Sequence, residues 1–143
     1  MEVKPVDYDE HERLAKEQKS KNETYLEVFK EELVEAGLKE KTIQNHLFNV
    51  DFYINEYLLR FETNKMEDGC GYEFDSVLGD FFIRKCMWST PASIKTTAAS
   101  LKKFYKSMSE NGYIPKEKYT FFCEIIKENM EDWQLECKAY NTY

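Results

Sequence analysis

The sequence predicts an all-α fold, a compact single-domain bundle of four to six helices. Three observations lead there. Apolar residues recur at helical spacing through most of the chain. Five Gly and three Pro among 143 residues leave too few turn formers for a β-sandwich, while 42% hydrophobic and 15% aromatic residues supply more core material than a disordered chain carries. The length is that of one domain with a real core.

In chain order, residues 1–21 are expected to form a charged tail or an extra amphipathic helix, and 22–143 a single helical domain. Asn22 is placed as an N-cap, followed by Leu26, Phe29, Leu33 and Ala36 at helical spacing until Gly37 ends the run. A second helix starts near Lys39 to Lys41 and reaches about Arg60. Its apolar face carries Ile43, Leu47, Val50, Ile54, Tyr57 and Leu58, with Phe48 and Phe52 roughly opposite, so it is expected at the middle of the bundle in contact with most other helices.

Phe61 to Tyr72, with Asn64 and Gly69-Cys70-Gly71, reads as a loop. Phe74, Val77, Leu78, Phe81, Phe82 and Met87 mark one or two short helices, bent or broken near Gly79, and Trp88 is expected to pack at the start of the next element. That element has clear borders: Thr90 as N-cap, Pro91 at the first helical position and Asn111-Gly112 as the stop. Ile94, Ala98, Leu101, Tyr105 and Met108 form its core stripe. After Tyr113-Ile114-Pro115, the heptad-like seam Tyr119, Cys123, Ile126, Met130, Trp133 and Cys137 predicts a long last helix that either packs in the core throughout or docks its distal part, with Trp133 and Tyr140, on a partner or a second copy.

Charge is unevenly spread. The formal net charge is −7, yet Phe81 to Ser109 holds Arg84, Lys85, Lys95, Lys102, Lys103 and Lys106 with no Asp or Glu. Lys95, Ala99, Lys102 and Lys106 form a second stripe beside the apolar one, with Lys103 and Thr96 adjoining, so the cations project from a flank that packing leaves free. Lys41, Gln44 and Asn45 point outward near the start of the second helix, where backbone amides and the dipole favour an anion. The acidic total argues against a tight general nucleic-acid binder but leaves room for weak binding through a local basic flank.

Familiar catalytic constellations are missing from the sequence. Cys70, Cys86, Cys123 and Cys137 form no CxxC pair, and His11 and His46 have no His or Cys partner at ligand spacing. No nucleophile elbow, phosphate loop or dinucleotide fingerprint occurs. The expectation is a non-enzyme without metal or cofactor. With no signal peptide and no long apolar run, the chain reads as cytoplasmic, with reduced thiols and no membrane span.

Three segments carry a family resemblance: YLEVFKEELVEAGLKEKTIQNHLFNVDFYINEYL, VLGDFFIRKCMW and SIKTTAASLKKFYKSMSENGYI. Their order and the residues Gly37-Leu38, Thr42-Ile43, Ile94, Thr97, Leu101, Phe104-Tyr105 and Gly112-Tyr113-Ile114 resemble the N-terminal core-binding, SAM-like domain of the tyrosine recombinase (phage integrase) family, over roughly residues 24–115. The resemblance implies a bundle that forms half of a clamp on duplex DNA in recombination and integration, with the second and fourth helices toward the major groove. It also implies contacts from Lys41, Thr42, Gln44 and Asn45 on the second helix and from Ser93, Lys95, Thr96, Lys102 and Lys103 on the fourth. Lys95, Lys102, Lys103 and Lys106 would meet phosphates, and Gln44, Asn45 and Thr96 would lie nearest the base edges. The family's catalytic Arg, His-x-x-Arg and Tyr find no counterpart, since the arginines are Arg13, Arg60 and Arg84 alone and no His-x-x-Arg occurs. The alternative from another class is a protein-interaction or homodimerisation module that uses the acidic surface or the aromatic C-terminal helix.

Overall fold

The first helix, α1 (Tyr8–Glu35), runs unbroken for 28 residues in a computed structural model that describes residues 8–60, 62–70, 75–86 and 91–141. For residues 75–77, 83, 85, 86, 140 and 141 only the backbone is described. The boundary expected at 21/22 therefore falls inside a helix, and Asn22 does not cap it. Asn22 is fully buried at mid-helix instead: it accepts a hydrogen bond from Gln18 Nε2 (3.0 Å) and donates to the Ile54 carbonyl (3.3 Å) and Asn55 Oδ1 (2.8 Å). Cap-type residues also serve as buried bridges wherever a neighbouring backbone offers an acceptor, and spacing alone does not separate the two uses.

That acceptor lies on the second helix. Residues Glu40–Asp51 form α2, which continues without a break into a widened π-type turn, Phe52–Tyr57, where the Leu58 N–H reaches back five residues to the Tyr53 carbonyl (2.9 Å). The inserted Asn22 side chain sits against this wide turn, as is usual where a polar group enters a helical ladder. A short 3₁₀ turn, Met66–Asp68, precedes α3 (Asp75–Cys86), α4 (Pro91–Glu110) and α5 (Lys116–Asn141). Among the described residues all regular structure is helical.

Two helix ends follow one design. Gly37 (φ 78°) and Gly112 (φ 80°) take left-handed conformations, and the residue after each donates back to the last turn, Leu38 to the Leu33 carbonyl (3.3 Å) and Tyr113 to the Met108 carbonyl (2.9 Å). Asn111 then ties the end of α4 to α1 through Glu32 Oε1 (2.7 Å).

The second helix with its π-type turn meets three of the other helices as expected, α1, α4 and, through Tyr53 and Tyr57 on Phe81, α3, but α4 is the fuller hub. Helix α4 packs against every other α-helix, and Ile94, Ala98, Leu101, Phe104, Tyr105 and Met108 are all buried. α2 packs on α1 and α4 along one side, and of the two rings opposite, Phe52 meets Phe81 of α3 (6.1 Å) while Phe48 is 66% exposed. α3 is not broken at Gly79, which packs beside the Trp133 indole (3.5 Å to a Cβ placed there). Trp133 itself is 6% exposed and stacks on Phe82 at 4.7 Å, so this part of the α5 seam covers α3. The Thr90 cap and the Phe74, Met87 and Trp88 positions lie outside the described residues, as do the Val77, Cys86 and Tyr140 side chains.

Loop 62–70 is part of the core. Met66 and Cys70 are fully buried, and two fully buried tyrosines hold the loop by its backbone: Tyr53 Oη donates to the Gly69 carbonyl (2.6 Å) and Tyr105 Oη to the Met66 carbonyl (2.9 Å). Lys118 closes the outside through the Glu67 carbonyl (3.0 Å). Gly69 fits because it lacks a side chain, for a Cβ there would stand 2.7 Å from both Leu58 Cδ1 and Tyr105 Oη.

Two stability outcomes are expected. Gly69→Ala overfills this junction and Tyr105→Phe leaves the Met66 carbonyl without its donor, each costing about 1–3 kcal/mol in urea unfolding. Burial also raises the Cys70 thiol from its ordinary 9.0 to about 12 and lifts the Tyr53 and Tyr105 phenols well above 10.0. The folded chain keeps these protons at a pH where the unfolded chain has released them, so the stability they contribute is intact below pH 9 and declines above it. Urea midpoints should fall from about pH 9 through Cys70 and more steeply above pH 10, at about 1.4 kcal/mol per pH unit for each group. Midpoints that stay level to about pH 11 would show the phenols to be solvated.

Candidate nucleic-acid interface

The free side of the α2–α4 pair carries nearly all the residues singled out from the sequence. Its floor is polar: Ser100, fully buried on α4, accepts from Asn49 Nδ2 (3.0 Å) and stands 2.7 Å from His46 Nδ1 and 3.1 Å from the Thr96 carbonyl. This cluster fixes α2 against α4 by a side-chain contact with one register. Burial, and then the Lys103 ammonium, hold His46 below its usual 6.5, which places Lys103 close to the same junction.

Outward from Ser100, α4 exposes Ala92, Thr96, Ala99 and Lys103, spaced four, three and four residues apart. Small side chains there leave a shallow strip between the lysines. Lys95, Lys103 and Lys106 are exposed and Lys102 is half-buried. Ion pairs among the described residues join Arg13 to Glu10 and Glu17, Arg84 to Asp80 and Lys118 to Asp68, so no described carboxylate neutralises these four lysines. Lys95 to Lys106 spans eleven residues, about 16 Å along the axis, which matches roughly five base-pair rises of B-DNA. Thr96 Oγ1 donates to the Ala92 carbonyl (3.0 Å), so its oxygen is left to accept from a ligand.

From α2 the face gains Thr42 and Asn45, both exposed, whereas Lys41, also exposed, stands about 140° from His46 and lies toward Gln44. Lys39, the residue before the first turn, makes no capping bond, so the opening amides of α2 have no side-chain acceptor. Ser93, half-buried, lies on the α4 strip nearest Thr96. Gln44 belongs to a different surface. At about 100° per residue it stands about 160° from His46, and it lines the groove between α1 and α2 instead.

Two features escaped the sequence. The His46–Ser100–Asn49 cluster joins residues 51 and 54 positions apart, and no local pattern reports such a contact. The uncovered side of α2 was visible as Phe48, but its apolar character read as core. Among the described residues no three or more His, Cys, Asp or Glu side chains converge in a manner able to hold a metal ion, and no helix is long and apolar enough to cross a membrane. Cys70 and Cys137 are buried and Cys123 half-buried, all as free thiols.

No family model, no curated protein and no solved structure matches the chain.

His46 gives the interface a pH dependence. Its folded form resists protonation more than its unfolded form, so the stability it contributes is present above about pH 6.5 and is lost as pH falls through the lower folded value. His46→Gln should therefore flatten the loss of thermal stability between about pH 7 and pH 5, and Ser100→Ala should lower stability at pH 7 by about 1–3 kcal/mol by stranding the Asn49 donor. An unchanged pH profile in His46→Gln would place the imidazole in open solvent.

Proposed function

We propose that this is a cytoplasmic, non-catalytic DNA-binding domain that holds duplex DNA weakly through the α2–α4 face, in the manner of the recombinase core-binding domain it resembles. The observation that carries the proposal is the set of four α4 lysines with no described carboxylate to neutralise them, beside a strip of small and polar side chains. Lys95, Lys102, Lys103 and Lys106 supply phosphate contacts, which position the duplex without reading it. Asn45 and Thr96 are nearest the base edges. An amide suits adenine, and Thr96, its hydrogen engaged within the helix, accepts from an exocyclic amine. Gln44, on the groove side of α2, and Lys41, turned toward it, take no part in this face, while Thr42 and Ser93 extend it.

About four phosphate contacts set against a net charge of −7 give affinity in the micromolar range or weaker at physiological salt. Homodimerisation through α5 gains nothing from Trp133, which its own core consumes.

Fluorescence anisotropy with a generic duplex tests this directly. The wild-type chain should bind at low salt with a steep salt dependence, and each lysine removed should lower the log–log slope by about one. The triple change Lys95→Glu, Lys102→Glu and Lys103→Glu should abolish binding. Equal binding by both proteins, or none by the wild type at low salt, would refute it. No nicking or relaxation of supercoiled DNA is expected, and a tyrosyl-DNA adduct would overturn the non-catalytic assignment.

A further inference from the structure

A second surface lies on the other side of α2, and its chemistry is opposite to that of the α4 face. Between α1 and α2 runs an open groove of about 1020 Å³, lined along α1 from Ser20 to Val34. Fourteen residues at 1.5 Å each make it about 21 Å long, the length of four helical turns. Its floor is apolar: Ile43 is buried, Leu38 and Leu47 are half-buried, and Val34 and Phe48 are 56% and 66% exposed. Large apolar side chains concentrated in one groove, in a chain that is otherwise highly charged, mark a contact surface.

The rim decides what fits. Glu23, Glu27, Glu40 and Asp51 line the groove with Lys30 as the sole lining cation, and among the described residues none of these four carboxylates is ion-paired. Such a groove repels nucleic acid and attracts a cation with apolar anchors. The first turns of α1 expose Tyr8 and Leu14, but their cations Arg13, Lys16, Lys19 and Lys21 are matched by Asp9, Glu10, Glu12 and Glu17, so they offer no net positive charge. The free side of α4 has lysines but no large apolar residue, and the exposed side of α5 around Leu135 carries Glu128, Glu131, Asp132 and Glu136. A second copy would therefore bring carboxylates to carboxylates or lysines without anchors.

We infer that the α1–α2 groove is a docking site for a basic amphipathic helix of a different protein, about four turns long, whose apolar stripe rests on Val34, Leu47 and Phe48 while its cations meet Glu23, Glu27 and Glu40. Apolar anchors at i, i+4 and i+7 would follow the groove as in other helix-in-groove contacts. Because this surface and the α4 face lie on different sides of α2, the domain would hold a basic protein segment and DNA at the same time.

The test uses the full chain and a labelled synthetic peptide of about 18 residues with Leu along one helical face and Lys and Arg elsewhere, read by anisotropy. A scrambled peptide of equal composition and a version with Glu for every cation serve as controls. The basic amphipathic peptide should bind at least about tenfold more tightly than either control. Phe48→Ser should weaken it by about tenfold or more, as should the combined Glu23→Lys, Glu27→Lys and Glu40→Lys, with duplex binding by the Phe48→Ser chain unchanged. All of these side chains except Phe48 are polar and exposed, so the rim variant keeps the test valid if Phe48→Ser unfolds. No binding, equal binding of the scrambled peptide, or binding unaffected by both variants would overturn the inference. So would a homodimer in light scattering that Phe48→Ser dissolves, since the groove would then belong to a second copy.

Discussion

The α2–α4 pair is fixed at two points, and the rest of the structure depends on that. At one point Ser100 receives Asn49 and meets His46; at the other the Tyr53 and Tyr105 hydroxyls grip the carbonyls of Gly69 and Met66. Hydrophobic contact alone would hold the two helices together but tolerate sliding. Buried hydrogen bonds do not, because any shift strands a donor or acceptor at a cost of about 1–3 kcal/mol each. The loop that would ordinarily be the least ordered part of such a domain becomes a wedge between two helices, with Met66 and Cys70 fully buried.

From this follows an asymmetry in what the two helices leave exposed. α4 is packed against all its neighbours and keeps one outward flank of small, polar and basic side chains that ends at Glu110. α2 is covered along one side, which leaves Phe48 in solvent above an acidic groove. The net charge of −7 thus hides two separate surfaces of opposite character on one small bundle. Long-range repulsion from the acidic part would weaken the proposed DNA binding and confine it to the α4 side.

The helices themselves were legible because they are written in local chemistry. Pro91 and Gly112 bound α4 where expected, and Gly37 ends α1, since each acts through its own backbone. Misreadings arose where a residue has two uses. Asn22 suits a helix start, but here it bridges to Ile54 across a pair of helices. Phe48, assigned to the core, is exposed, and of the two readings of Trp133, core packing or a partner contact, the first holds, since it is stacked on Phe82. A periodic pattern states which residues share a face but not which face finds a neighbour. The lysine flank was visible as a run without Asp or Glu, whereas its polar floor depends on contacts across more than 50 positions.

We propose that the α2–α4 pair presents a DNA-binding face while the opposite side of α2 stays clear of it. Amide chemical-shift mapping by NMR, with a generic duplex titrated at low salt, tests this residue by residue. The amides of Asn45, Thr96, Ala99, Lys103 and Lys106 should shift together, with those of Val34, Phe48 and Leu135 unmoved. Shifts centred on the α1–α2 groove or on α5, or no shifts at all, would contradict it.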